Sequence, residues 1–161
     1  MANLDASGER FLRKAIRLSI EKMREGEGGP FGAIVTRGDE IVGIGWNRVT
    51  SANDPTAHAE ITALRDACQR LKTFNLSGCE IYSSCEPCPM CLAAIYWARL
   101  DRLYFAAGRE DAAEADFDDG HIHTQITLPA NQRSLPSMQA LRDEAKTAFD
   151  EWRTKADRVG Y

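Results

Sequence analysis

The sequence predicts an α/β domain in which amphipathic helices alternate with short strands around a mixed sheet, an antiparallel hairpin first and parallel crossovers after it. Three observations carry this expectation: an apolar stripe at helical spacing near the amino terminus, two β-rich runs separated by a tight turn, and two later passages from strand to helix. Phe11, Leu12, Ala15, Ile16, Ser19, Ile20 and Met23 mark one face of the first helix, and Arg10, Arg13, Lys14 and Arg17 lie on its solvated side. Gly26, Gly28, Gly29 and Pro30 break it. Phe31 to Thr36 and Ile41 to Trp46 then flank Arg37-Gly38-Asp39-Glu40, the pattern of a β-hairpin.

Ser51 to Thr56 is turn chemistry. Ile61, Leu64, Cys68 and Leu71 follow as one face of a second helix, with Thr56 as its candidate cap and His58 and Glu60 in its first turn. Glu80 to Ser84 reads as a third strand that runs into Cys85-Glu86-Pro87-Cys88. Pro87 suits the first position of a third helix carrying Cys91, Leu92, Ile95 and Tyr96. Arg102 to Ala106 reads as a fourth strand, and the acidic, Ala-rich segment from Arg109 to Gly120 as a loop with a helical piece. Met138, Leu141, Ala145, Ala148, Phe149 and Trp152 predict a final helix. With no repeat, low-complexity tract or linker in view, one domain is expected over 1–155, followed by a tail at 156–161.

Composition narrows the function. The 161 residues are 43% apolar and 27% charged, ordinary values for a folded soluble domain. A net charge of −4 argues against nucleic acid or anionic lipid as partner, because both select strongly basic surfaces. The expected substrate is therefore small. Basic residues interrupt the first apolar stripe, unlike a secretory leader, and the longest uncharged apolar stretch, Cys91 to Ala98, is too short to cross a bilayer. The expectation is a cytoplasmic protein. Five cysteines, three of them crowded at 85, 88 and 91, suit metal ligation in a reducing compartment better than a disulfide framework.

The chemistry concentrates in His58-Ala59-Glu60 and in Pro87-Cys88-Pro89-Met90-Cys91. Cysteines three apart at a helix start lie on one face, close enough for both sulfurs to reach one zinc ion, and His58 supplies a nitrogen from a second helix end. Three protein ligands leave a tetrahedral position open, which is the mark of a catalytic rather than a structural zinc. Glu60, two residues from His58, is placed to shuttle protons. Cys85 forms an overlapping pair with Cys88. As a fourth ligand it would close the site, but the proline that follows Glu86 keeps this stretch out of helical geometry and leaves Cys85 on the strand side, packing in the core.

His-x-Glu followed by Pro-Cys-x-x-Cys is the sequence mark of the zinc-dependent cytidine deaminase superfamily. Gly29-Pro30-Phe31-Gly32-Ala33, Asn53 to Glu60, Ser84 to Cys91 and Ile95-Tyr96-Trp97-Ala98-Arg99 resemble the short bacterial guanine deaminases, and Asp111 to Ala115 with Phe117-Asp118-Asp119 strengthen the resemblance. It covers most of the chain from Gly28 to Asp119. It implies a three-layer α/β/α sandwich on a mixed five-stranded sheet, one zinc ion per chain on His58, Cys88 and Cys91, and hydrolysis of guanine to xanthine and ammonia. It also implies a homodimer in which the carboxy-terminal segment closes the partner's site, with Tyr161 the candidate by position.

The same resemblance makes Glu60 and Asp119 the proton carriers. Phe31, Asn47, Ala59, Trp97, Asp119 and Tyr161 become the substrate contacts, with the Asn47 amide able both to donate to and accept from a purine edge. Guanosine, tRNA adenosine and cytosine are the competing substrates, and a zinc-stapled binding module is the competing non-enzymatic reading. Between Arg109 and Gly120, six acidic residues stand against one arginine, which disfavours a polynucleotide. His121 and His123 lack a third partner in sequence and read as surface or packing histidines.

Overall fold

In the computed structural model, which describes residues 4–160, Asp5 opens the first helix, α1 (Ala6–Arg24), by accepting a hydrogen bond from the Gly8 N–H at 2.7 Å. Phe11, Ala15 and Ser19 form its buried stripe. The hairpin follows as β1 (Gly32–Arg37) and β2 (Glu40–Trp46), antiparallel, with Gly38 supplying the positive φ of the turn. A short helix, α2 (Val49–Ala52), takes the first two residues of the stretch Ser51 to Thr56 expected to be turn. It leads to α3 (Ala59–Leu71), β3 (Glu80–Cys85), α4 (Pro89–Trp97) and β4 (Arg102–Ala107).

The sheet order is β2-β1-β3-β4. β3 runs antiparallel to β1 and parallel to β4, so only one pairing is the parallel crossover that the alternation of elements suggested. Strand alternation divides the core in two. Ile34 and Tyr82 face α1, where Phe11 and Tyr82 rings lie 5.3 Å apart and Tyr82 stacks on Tyr104 at 4.9 Å. Ala33, Val35 and Ile81 face the other way, onto Ala59, Ala63 and Ala67 of α3 and Ile95 of α4. Helices therefore cover both faces of the sheet.

Small residues let α3 lie close to β2. A Cβ on Gly45 would fall 2.2 Å from the Ala59 carbonyl oxygen and one on Gly43 2.5 Å from that of Ala63, both backbone atoms that cannot swing away. The contact is also polar. Thr62 Oγ1 donates to the Trp46 carbonyl at 3.0 Å, and Asp66 Oδ2 accepts from the Ile44 N–H at 2.9 Å, satisfying an outward amide of this edge strand. These bonds fix the start of α3, and with it residues 58–60.

Four strands are described where five were expected. After β4 the chain enters α5 (Arg109–Glu114), because Arg-Glu-Asp-Ala-Ala-Glu is rich in helix formers and holds no β-branched or aromatic residue. The described residues fall into two compact units, one through Asp119 and one from Gly120. The second unit contains α6 (Gly120–Thr127), a 3₁₀ turn at Ala130–Gln132 and α7 (Arg142–Thr154). Met138 precedes α7 instead of lying on it. Leu141 stands at its start with φ 53°, so the apolar stripe is shorter than the sequence suggested.

Candidate metal and catalytic site

Two helix starts converge on the site. His58 is the N-cap of α3 and Cys88 the N-cap of α4, both in extended backbone, and Pro89 rather than Pro87 takes the first helical position of α4. Thr56 does not cap α3. Its N–H and hydroxyl both donate to Asp54 Oδ1, closing the turn just before the helix.

His58 Nδ1 lies 3.5 Å from Cys88 Sγ and 3.5 Å from Cys91 Sγ, and the three ligand atoms lie within 4.8 Å of one another. In a tetrahedral zinc site with Zn–S of about 2.3 Å and Zn–N of about 2.0–2.1 Å, nitrogen and sulfur would stand about 3.6 Å apart. The donor set and spacing fit zinc. They form the one such group of three among the described residues. The hydrogen bond from the Cys91 thiol, and then the His58 contact, hold Cys88 down to about 4. Cys91 is pushed well above the ordinary thiol range by that same bond to Cys88 and by burial, and the Cys88 contact raises His58. These contacts favour the thiolate of Cys88, the form in which a cysteine ligates a metal.

Cys85 is outside this group. It is buried, its thiol contacts the Gly108 carbonyl at 3.6 Å, and burial pushes it up to about 11, the behaviour of a packing thiol. All five cysteines are free, as a metal-binding rather than disulfide pattern requires.

Glu60, in the first turn of α3, is 5% exposed, and its Oε1 accepts a 2.7 Å hydrogen bond from the Ser83 hydroxyl. Ser83 was not singled out in the sequence. The available signal is a hydroxyl at 83 on the strand face that carries Ile81, where the alternation asks for an apolar side chain.

Asn47 is buried at the end of β2, and its N–H donates to the Phe31 carbonyl at 3.0 Å, which brings these two expected contacts together. The next amide, Arg48 N–H, donates to the Ala57 carbonyl at 2.9 Å and ties the pair to the start of α3. Asn47 Oδ1 accepts from the Gly29 and Val49 N–H groups at 3.1 and 3.2 Å. Only an oxygen can do so, which fixes the amide with Oδ1 engaged by the backbone and leaves Nδ2 as its donor. Phe31 packs edge-on against Phe117 at 4.9 Å, and Ala59 is fully buried. Trp97 lies at the opposite end of α4 from the cysteines and is 65% exposed. Asp119 ends the first unit and is partly buried; Tyr161 lies outside the described residues. His121 faces the Ser134 hydroxyl at 3.3 Å and belongs to no metal-binding group of three among the described residues.

The sequence profile of the cytidine and deoxycytidylate deaminase zinc-binding region matches residues 6–107, which contain the His58, Cys88 and Cys91 group. The chain belongs to the cytidine and deoxycytidylate deaminase family. Within that family it is 48% identical to the guanine deaminase of Bacillus subtilis over 95% of this chain and 98% of that protein. The X-ray structure of that enzyme superposes with a TM-score of 0.93 over the same shares. The guanine deaminase of Nitrosomonas europaea matches 96% of this chain and 88% of its own at 28% identity and a TM-score of 0.67. The tRNA-specific adenosine deaminase of Aquifex aeolicus is 42% identical, over 62% of this chain and 65% of its own. This member of the family is a zinc-dependent hydrolytic deaminase.

Proposed function

We propose that this chain hydrolyses guanine to xanthine and ammonia, with His58, Cys88 and Cys91 holding one zinc ion. The observation that carries the reading is the 48% identity to a guanine deaminase across 95% of the chain, well beyond the zinc-binding region at 6–107. Zinc supplies Lewis acidity, which makes water a competent nucleophile near neutral pH. Glu60 takes a proton from the attacking water as the C–O bond forms at C2 of guanine and delivers it to the adjacent ring nitrogen. It then carries the second proton to the amino group, so that the C2–N bond breaks and ammonia leaves. By resemblance Asp119 is a second proton carrier at the amino-bearing edge.

The fixed Asn47 amide supports guanine over adenine. A donor suits the N7 and O6 acceptors of guanine, whereas adenine places an amino donor at the second position. The Ala59 N–H lies in the first turn of α3, where backbone donors have no intrahelical acceptor, and is proposed to donate to the substrate. Phe31 supplies flat apolar surface for the base; Trp97, exposed at the far end of α4, would supply it only to the site of a second copy.

Two further parts of the reading concern assembly. We propose a cytoplasmic homodimer, supported by exposed Tyr96, Trp97 and Phe105 on α4 and the edge strand β4, and by Phe149 and Trp152 on α7. In it the carboxy-terminal segment, with Tyr161, closes the site of a second copy. The first unit and the residues from 120 to 155 act together as one functional domain in that assembly.

The test is ammonia release across guanine, guanosine, adenine, cytosine and a tRNA anticodon stem. Guanine is expected to dominate, and a preference for the anticodon stem would move the chain to the tRNA-specific branch. The acidic run from Glu110 to Asp119, exposed as far as Asp118, repels a phosphate backbone and argues for the free base.

A further inference from the structure

We infer that Ser83 is a positioning residue that orients the Glu60 carboxylate for proton transfer; the inference rests on the reading of Glu60 as the proton carrier. Ser83 is 1% exposed and Glu60 5%, and the hydroxyl donates to Oε1 at 2.7 Å, the short length of a charge-assisted bond. The terminal torsion of a glutamate is broad and roughly two-fold, so its own rotamer does not fix the carboxylate plane. A donor on a rigid element does.

Ser83 stands on such an element. It pairs with Ala33 of β1 on one side and Phe105 of β4 on the other, in an interior strand held from both edges. Its neighbour Ser84 accepts the Gly32 N–H at 3.0 Å, a second tie to the start of β1. Glu60 is held from the opposite direction by the close seating of α3 on β2 at Gly45. The hydroxyl thus bridges the sheet and the helix that carries His58, and sets one carboxylate oxygen relative to the metal group. Among the apolar side chains around Ile81 and Ala63, a hydroxyl would otherwise be a cost of burial; its bond to Glu60 gives it a partner.

Threonine and valine have nearly the same shape and both favour strands, so Ser83→Thr and Ser83→Val isolate the hydroxyl. Each is prepared as the zinc-loaded enzyme and assayed with guanine alongside Glu60→Gln. Ser83→Val is expected to bind full zinc and to lose about 10- to 100-fold in kcat, with KM changed less than about twofold, the pattern of a misplaced catalytic group. Ser83→Thr is expected to restore kcat to within about threefold of the parent. Equal kcat in the two variants, or a rise in KM with kcat unchanged, would overturn the inference. If Ser83→Val does not fold, Ser83→Ala against Ser83→Thr reads the same contrast. Full turnover by Glu60→Gln defeats the proton-carrier reading itself. An inactive Glu60→Gln beside a fully active Ser83→Val defeats the positioning role alone.

Discussion

The two units of this chain use their apolar residues differently. In the first, Ile34, Val35, Leu76 and Ile81 are wholly buried between the sheet and the helices on its two faces. In the second, no described residue from Gly120 to Gly160 is buried, although α7 carries Phe149 and Trp152 on a helical stripe. Helical periodicity shows that a face will be covered. It does not show by what. The first unit covers both faces of its sheet and can hold two helix starts in the register that the metal group needs; the second leaves the apolar stripe of α7 exposed.

The comparison makes the first unit the seat of chemistry, and removing zinc is its severest test. Treatment with a chelator is expected to abolish ammonia release and added zinc to restore it; turnover by protein shown to be free of metal would break the assignment. Next in size is Glu60→Gln, expected to keep zinc and lower kcat by about 10²- to 10⁴-fold with guanine. Metal analysis beside steady-state kinetics separates it from loss of the ion.

Gly45→Ala sharpens the structural half of the comparison. The added Cβ meets the Ala59 backbone, so a loss of about 1–3 kcal/mol in denaturant unfolding is expected, together with reduced kcat because the start of α3 must shift. A variant as stable and active as the parent would mean that this seating does not set the site. The smallest effect on the isolated chain is expected from Phe149→Ser, whose ring is 66% exposed. In the proposed dimer the same change should move sedimentation toward the monomer and make the unfolding midpoint lower and less dependent on protein concentration. An unchanged dimer would remove α7 from the interface.

His58, Glu60, Cys88 and Cys91 were legible in the sequence because their chemistry is written in short spacings and because each pair sits at a helix start that turn residues announce. The same reading placed Pro87, instead of Pro89, at the helix start, since two prolines in three residues both satisfy the local rule and only the chain's exit from β3 chooses between them. Asn47 was visible as a candidate. Its orientation was not, because it depends on the Gly29 amide, eighteen residues away. Ser83 carried only a faint signal, one hydroxyl in an inward-facing strand position.

Sequence alone determined the kinds of element, the hairpin, the three metal-binding side chains and the acid beside them, since these follow from nearest-neighbour sterics, periodicity and ligand chemistry within a few residues. Tertiary structure decided the strand order, the single parallel pairing, the four-stranded sheet and the bond from Ser83 to Glu60. Those depend on which segments meet across 20 or more residues, where the free energy lies in packing and buried hydrogen bonds that no local pattern specifies.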